Sequence, residues 1–256
     1  LRYDFQTFEG LDGTKYDTDG MSANIAGDFD ITDNVTISAG ASRVWGGIAL
    51  AESFIMDTAW VYPASIPTVT SENYFLGAAA NFGAVDLDGK VFRTNIDNAR
   101  TPAGTPETTS DLVAEGFELG AAYNWNRGYI RVVYANVDSD INGTQADSFS
   151  GRYLTTPIGE QITLEIGHTF EDRGITVGAD AQIALKRSDL FNFGSAASPL
   201  PQYEVVNAFL EYTPTDVPDF TIRGEINNIF DEQYADHASY GQEFVDSDGL
   251  IPLFEP

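Results

Sequence analysis

The side chains here with the chemistry to hold a ligand are few, and they do not converge on a reaction. The chain has two histidines and no cysteine, which removes thiol catalysis, thiolate metal sites and disulfides. His168 falls on the apolar side of an alternating segment beside a turn, where an amphipathic ring filling an interface is commoner than a ligand. His237 lies in Tyr234-Ala235-Asp236-His237-Ala238-Ser239-Tyr240. Its imidazole suits haem iron or another transition metal, with Tyr240 nearby, but a lone ring without a second ligand is more often a solvated loop residue.

Aromatic surface gathers in the stretch from Trp45 to Pro67, which carries Phe54, Met56, Trp60 and Tyr62. Exposed, these rings would stack on a flat chelate; turned inward, they would pack the loop against its neighbours. Asp138-Ser139-Asp140-Ile141-Asn142-Gly143 opens like a calcium loop, with oxygens from Asp138, Asp140 and Asn142 at alternate positions before a turn glycine. Phe149 stands where the bidentate glutamate should, and a hydrated acidic loop fits as well. Arg131 and Arg223 fall on polar strand faces, able to attract an anionic chelate or to pair with carboxylates. This inventory points to binding without catalysis, and no enzyme is expected.

Such side chains need a frame, and composition narrows it. The chain has 256 residues, 43% of them hydrophobic, and a formal net charge of -26. So negative a protein repels nucleic acid. No run approaches the roughly 18 apolar residues of a helical membrane span. Abundant Gly, Asn, Asp, Thr and Tyr, without long amphipathic helical patterns, indicate an all-β protein. A membrane barrel remains open, because alternating strands hide their lipid face from hydropathy averages.

Period-two alternation predicts about eleven strands of roughly nine to thirteen residues, the length a tilted membrane strand needs. In the clearest, Ile175, Val177, Ala179, Ala181, Ile183 and Leu185 oppose Thr176, Gly178, Asp180, Gln182 and Lys186. The phase continues through Phe220, Ile222 and Ile226, through Val206, Ala208, Leu210 and Tyr212, through Ile162, Leu164 and Ile166, and through Ile25, Phe29 and Ile31. Weaker strands are expected near 1–9, 35–45, 73–83, 84–97, 113–125 and 129–138.

Alternation alone does not separate a barrel from a soluble sandwich, but connections do. Long segments are expected at about 10–20, 46–72, 98–112, 139–159 and 187–202, and from Asp231 onward. Tight turns between them fall at Asp33-Asn34, Gly83, Asn126-Arg127-Gly128, Asp172-Arg173-Gly174 and Pro214–Pro218. Strict alternation of short and long connections is the outer-membrane barrel pattern, which Greek-key sandwiches do not generally follow. Phe82, Tyr123, Trp125, Tyr129, Phe170 and Tyr212 all flank the short turns, where an interfacial girdle belongs.

The segment Arg223-Gly224-Glu225-Ile226-Asn227-Asn228-Ile229-Phe230-Asp231-Glu232-Gln233-Tyr234 resembles the penultimate-strand signature of TonB-dependent receptors. Pro252-Leu253-Phe254-Glu255-Pro256 looks like that family's lead-in to its last strand. Ser42-Arg43-Val44-Trp45 and Asn73-Tyr74-Phe75-Leu76-Gly77 fit it as well. The resemblance implies an antiparallel transmembrane barrel of about 22 strands with a plugged lumen, of which residues 1–256 would supply the C-terminal half, without the plug domain and final strand.

It also implies residence in the bacterial outer membrane, among lipid and lipopolysaccharide. The function implied is uptake of a scarce nutrient, foremost a ferric siderophore or haem, powered by the TonB–ExbB–ExbD complex acting on the plug. A passive porin-like channel and a secreted all-β binding or hydrolytic module are the alternatives.

Overall fold

The computed structural model describes residues 1–10, 13–48, 65–100, 109–146, 154–155, 158–187, 191–192, 196–197, 201–234, 236–237, 244–246 and 249–251. Eleven strands run in sequence order: β1 (Arg2–Glu9), β2 (Lys15–Thr32), β3 (Val35–Gly47), β4 (Val69–Phe82), β5 (Val85–Arg100), β6 (Thr109–Trp125), β7 (Gly128–Ile141), β8 (Gly159–Phe170), β9 (Ile175–Ala184), β10 (Tyr203–Tyr212) and β11 (Ile222–Ile226). Each pairs with its sequence neighbours, every pairing antiparallel. A two-residue strand, Thr144–Gln145, folds back on β7 and completes a 12-stranded sheet. Among the described residues β1 and β11 are its two edges, so the sheet is open.

Register assigns the faces, since directly paired residues share a side. One row runs Phe29, Ile37, Ala78, Gly89, Leu119, Tyr134, Ile162, Ile183. The opposite face carries Asp28, Ser38, Asp88, Lys90, Glu118, Arg131, Glu165 and Asp180. Among the described residues nothing covers the apolar side: Ile25 is 75% exposed, Phe29 71% and Leu119 53%. An apolar surface of this extent is sustainable only against a partner or lipid.

Both borders of that band are marked chemically. At the tight-turn end stand Phe82, Tyr123, Trp125, His168, Phe170 and Tyr212. The Trp125 indole donates to His168 Nδ1 at 3.0 Å, and Phe170 meets the same imidazole edge-on at 4.6 Å. His168 thus fills an interface, as its position in the pattern suggests. Tyr129 does not join this girdle: it pairs with Gly167 on the polar face and lays its ring over that glycine.

At the other border the outward face turns ionic. Arg43 pairs with Glu72 at 3.5 Å and Arg93 with Glu115 at 2.7 Å, while the Tyr74 and Tyr134 hydroxyls donate to Glu72 and Glu160. Between the borders, from Phe82 up to Tyr74, lies about the nine to eleven residues of a tilted membrane crossing.

Strands do not stop where the membrane would. β2 has 18 residues and β6 has 17, and at about 3.3 Å each β2 extends roughly 60 Å. The long connection expected at about 10–20 is therefore corrected to a tight turn, closed by Gly10 N–H to Thr14 O and Gly13 N–H to Gly10 O. The segments at 98–112 and 139–159 are likewise shortened by strand at both ends. Beyond the headgroups both faces meet water, so alternation fades while the hydrogen-bonded ladder continues. Small cores brace these extensions: Phe8, Ile48 and Ile66 pack with Tyr16, and the Gln6 side-chain amide exchanges two hydrogen bonds with the Ile48 backbone.

The tight turns rest on specific backbone needs. Gly174 ends a single 3-10 turn at φ 62°, and the carbonyl oxygen of Thr213 lies where its Cβ would be. Gly174→Val should sharply lower the yield of heat-modifiable folded barrel on denaturing gels, whereas Gly27→Ala, with open space at the Cβ position, should leave it unchanged. Leu119→Arg tests the apolar face: in lipid it should cost about 2–4 kcal/mol near the midplane, measured by reversible unfolding from bilayers. An exposed position in water would tolerate it within about 0.5 kcal/mol.

Candidate functional site

The polar face and the described strand ends beside the long connections hold the ligand-capable side chains. On that face carboxylates outnumber cations: Asp28, Asp30, Asp86, Asp88, Glu118, Glu165 and Asp180 stand against Lys90, Arg131 and Arg223. Arg131 lies 3.7 Å from Asp88 and is paired in register with Glu165. Arg223 sits 4.0 Å above the Phe209 ring, between Glu225 at 3.5 Å and Glu211 at 3.8 Å. Lys90 pairs with Glu118 at 2.9 Å. All three cations are half-exposed and each pair is worth at most about 1 kcal/mol, so they set the potential of this wall more than its stability.

Among the aromatic residues on the polar face, Phe75 and Phe92 are paired directly with each other. One row reads Ala26, Gly40, Phe75, Phe92, Gly116, Val137, Gly159. The Phe75 ring covers Gly40 and the Phe92 ring reaches over Gly116, so each lies against the wall on the far side of the other. Any side chain at these glycines would lift the rings. Lys90 adds a cation 5.4 Å from the Phe92 centroid. The row lies one residue from Tyr74 and Arg93, the level where the outward face changes from apolar to ionic. Phe75 and Phe92 were not singled out from the sequence, because they break the alternation; the readable signal was glycine at the paired positions.

The segment from Arg223 to Tyr234 has a definite structural job. Asn228 and Asp231 both adopt positive φ, 50° and 52°. The Asn228 carboxamide accepts from Glu232 N–H and donates to Glu232 O, each at 2.9 Å, pinning a bend just past β11. Its backbone N–H donates to Asn207 Oδ1, and Asn207 in turn donates to Asp180 at 2.8 Å. The bend carries Tyr234 onto Tyr203, with ring centroids 4.7 Å apart. Tyr203 is 2% exposed and packs with Ala184 and Val205. Its hydroxyl donates to Asp236 and accepts from Gln182.

His237 follows directly, and its environment corrects the expectation of a solvated loop. The ring is fully buried, edge-on to Tyr203 at 5.4 Å. Nδ1 lies 3.1 Å from the carbonyl oxygen of Ile158 and Nε2 lies 2.9 Å from that of Pro201. In this arrangement both nitrogens are turned to backbone carbonyl oxygens.

The remaining candidates separate. Trp45 belongs to β3 rather than to a loop; half-buried, its ring covers Gly20, and its backbone N–H donates to Ser22 Oγ at 3.1 Å. Trp60, Tyr62 and Tyr240 lie outside the described residues, as do Phe54, Met56 and Phe149. The acidic stretch is the end of β7 and a hairpin turn, with Asn142 at φ 52° and Gly143 at φ 75°, the Asn-Gly preference of a type I′ turn. Asp138 is ion-paired with Arg187 at 2.6 Å, Asp140 pairs in register with Gln145, and Asn142 Oδ1 accepts from Asp111 N–H. Among the described residues no group of three or more acidic or histidine side chains is placed to hold a metal ion.

Comparison with known proteins agrees with this geometry. The family model "TonB dependent receptor-like, beta-barrel" matches residues 1–229. The haem transporter BhuA of Brucella ovis is 27% identical over 265 residues, covering 100% of this chain and 39% of that protein. BhuA of Brucella abortus is 28% identical over 249 residues, covering 93% and 37%. The chain thus spans well under half the length of the curated relatives it matches.

Among solved structures, the FrpB iron transporter from Neisseria meningitidis superposes with a TM-score of 0.75 at 15% identity, over 92% of this chain and 38% of that one. The ferripyoverdine receptor of the Pseudomonas aeruginosa outer membrane gives 0.62 at 15%, over 88% and 32%. At such identities these likenesses establish the fold alone. Eleven strands in nearest-neighbour order, apolar on one face and charged on the other, together with the family match over most of its length, show that this chain belongs to the TonB-dependent receptors and forms part of their outer-membrane β-barrel.

Proposed function

We propose that the complete protein imports an iron-bearing nutrient across the outer membrane, with haem as the first candidate and ferric siderophores next. The observation that carries this reading is the match of 93–100% of the chain to transporters named for haem. The polar wall suits such a task, because a barrel of about 22 strands needs a filled lumen and half-exposed charges can pair with whatever fills it. On this reading residues 1–256 supply the C-terminal part of the barrel, and a plug domain elsewhere in the protein couples the TonB–ExbB–ExbD complex to cargo release. Lipid and lipopolysaccharide contact the apolar band and the ionic border above it. The cargo is bound and moved without chemical change.

Phe75 and Phe92 are the described residues best suited to a flat aromatic cargo. They lie side by side on the polar face, near the level where the outer surface turns ionic, and stacked aromatic contacts contribute about 0.5–1.5 kcal/mol each beyond area. Replacing both by Ala should weaken haem binding to the complete receptor about tenfold, equivalent to 1.4 kcal/mol, in a Soret titration. Unchanged affinity would remove Phe75 and Phe92 from the cargo path. Haem or ferric-siderophore uptake by cells expressing the complete protein should vanish when TonB is deleted. Uptake that persists without TonB would instead fit a passive channel.

A further inference from the structure

We infer that the outward face of β3 to β6 is a binding site for a lipopolysaccharide molecule, with an acyl chain in a groove and a lipid A phosphate on Arg93 and Arg43 above it. The inference rests on the orientation in the proposed function. That orientation puts the long connections outside the cell, and so this end of the apolar band in the outer leaflet.

The groove comes from small residues set among large ones. In the outward row Ile37, Ala78, Gly89, Leu119, the two middle positions carry almost no side chain. Leu76 and Val91, paired in the next row toward the long connections, rise beside them. The result is a groove of about 410 Å³ on the apolar face. A Cβ at Gly89 would stand 3.2 Å from Leu119 Cδ2, so the missing side chain is what opens it.

The head of the site lies on the same strand and the same face. From Gly89 the outward positions of β5 run through Val91 to Arg93 and Asn95, and four residues span about 13 Å along a strand. Arg93 donates to Asn95 Oδ1 at 3.0 Å and to Glu115 at 2.7 Å. Across β4, Arg43 meets Glu72 at 3.5 Å, and Glu72 also accepts from the Tyr74 hydroxyl at 3.0 Å. Both arginine side chains remain more than half exposed, at 62% and 52%. Pairs this exposed hold at most about 1 kcal/mol, so either guanidinium can turn to a phosphate, which its planar fork matches with two parallel hydrogen bonds.

The order of chemistry along β5 selects the occupant. An apolar groove leading to cations on one face matches an amphiphile standing with its tail toward the midplane. Lipid A phosphates travel with divalent counter-ions, and such ions take carboxylate oxygens. A row that interleaves Arg43 and Arg93 with Glu72 and Glu115 therefore complements that headgroup lattice. A second copy of this chain seated on the groove would bring its own apolar band against the same charged row.

Native mass spectrometry of the complete receptor, extracted from outer membranes in mild detergent, reads the retained lipid directly. The unsubstituted receptor should carry lipopolysaccharide through gel filtration. Arg93→Gln should retain about tenfold less, as loss of a charge-assisted pair implies. Gly89→Leu, which fills the groove, should also lose lipid. Ala208→Leu, on the same apolar face but on β10, should retain as much as the unsubstituted receptor. Heat-modifiability on denaturing gels identifies the folded variants. Equal retention in the unsubstituted receptor and Arg93→Gln, phospholipid in place of lipopolysaccharide, or a lipid-free dimer would overturn the inference. Uptake that ignores TonB while lipid retention follows the expected pattern would count against the transport reading alone.

Discussion

A peptide group in hydrocarbon has no water to bond, so each backbone N–H and C=O must find a partner within the protein. Everything else in this chain follows from that constraint. The ladder from β1 to β11 is continuous and antiparallel throughout, with tight turns that keep sequence neighbours adjacent. Once the backbone is satisfied sideways, side chains can only point to the two faces. One face is then free to be apolar and uncovered, and the other to be charged. An isolated open sheet in water would be an aggregation hazard at both edges, and the exposed Ile25, Phe29 and Leu119 would make it worse. In a closed barrel within lipid the same residues are at rest.

This constraint also explains what could be read from residues alone. Within the membrane the two faces meet different solvents, so alternation is sharp: Ile175 to Ile183 against Thr176 to Gln182 holds residue for residue in the observed register. Turn chemistry was equally plain, because Gly83 and Gly174 supply positive φ where the chain reverses. Above the headgroups the contrast between faces disappears. There the pattern failed, and strand from Lys15 to Gly20, from Asn98 to Arg100 and from Thr109 to Leu112 read as loop. Tyr129 was misplaced for a simpler reason: closeness to a turn does not say which side a residue faces, and one step of register separates Tyr129 from the girdle.

The site was harder to read than the fold because its meaning depends on pairings far apart in sequence. Asp138, Asp140 and Asn142 have the spacing of a calcium loop, yet Arg187 and Asp111, distant in the chain, engage two of them. His237 looked like a lone solvated ring, and only the approach of Ile158 and Pro201 makes it the centre of a buried junction. The Asn228 motif gave the family away without revealing its task. Structurally, it pins the bend that delivers Tyr234 onto Tyr203 and brings His237 to that junction. Sequence motif and rim architecture are in this sense one feature.

The central claim is that one face of this sheet lies in lipid and the other does not. Spin-label accessibility along β6 tests it most directly, with single cysteines placed in turn from Gly116 to Ala122 in the complete receptor reconstituted into bilayers. Collision with oxygen should peak at Phe117, Leu119 and Ala121, and collision with a water-soluble nickel chelate should be lowest at those positions. A strict two-residue period in both signals, in opposite phase, is the predicted result. Equal accessibility of Glu118 and Leu119 to the aqueous reagent would contradict the account.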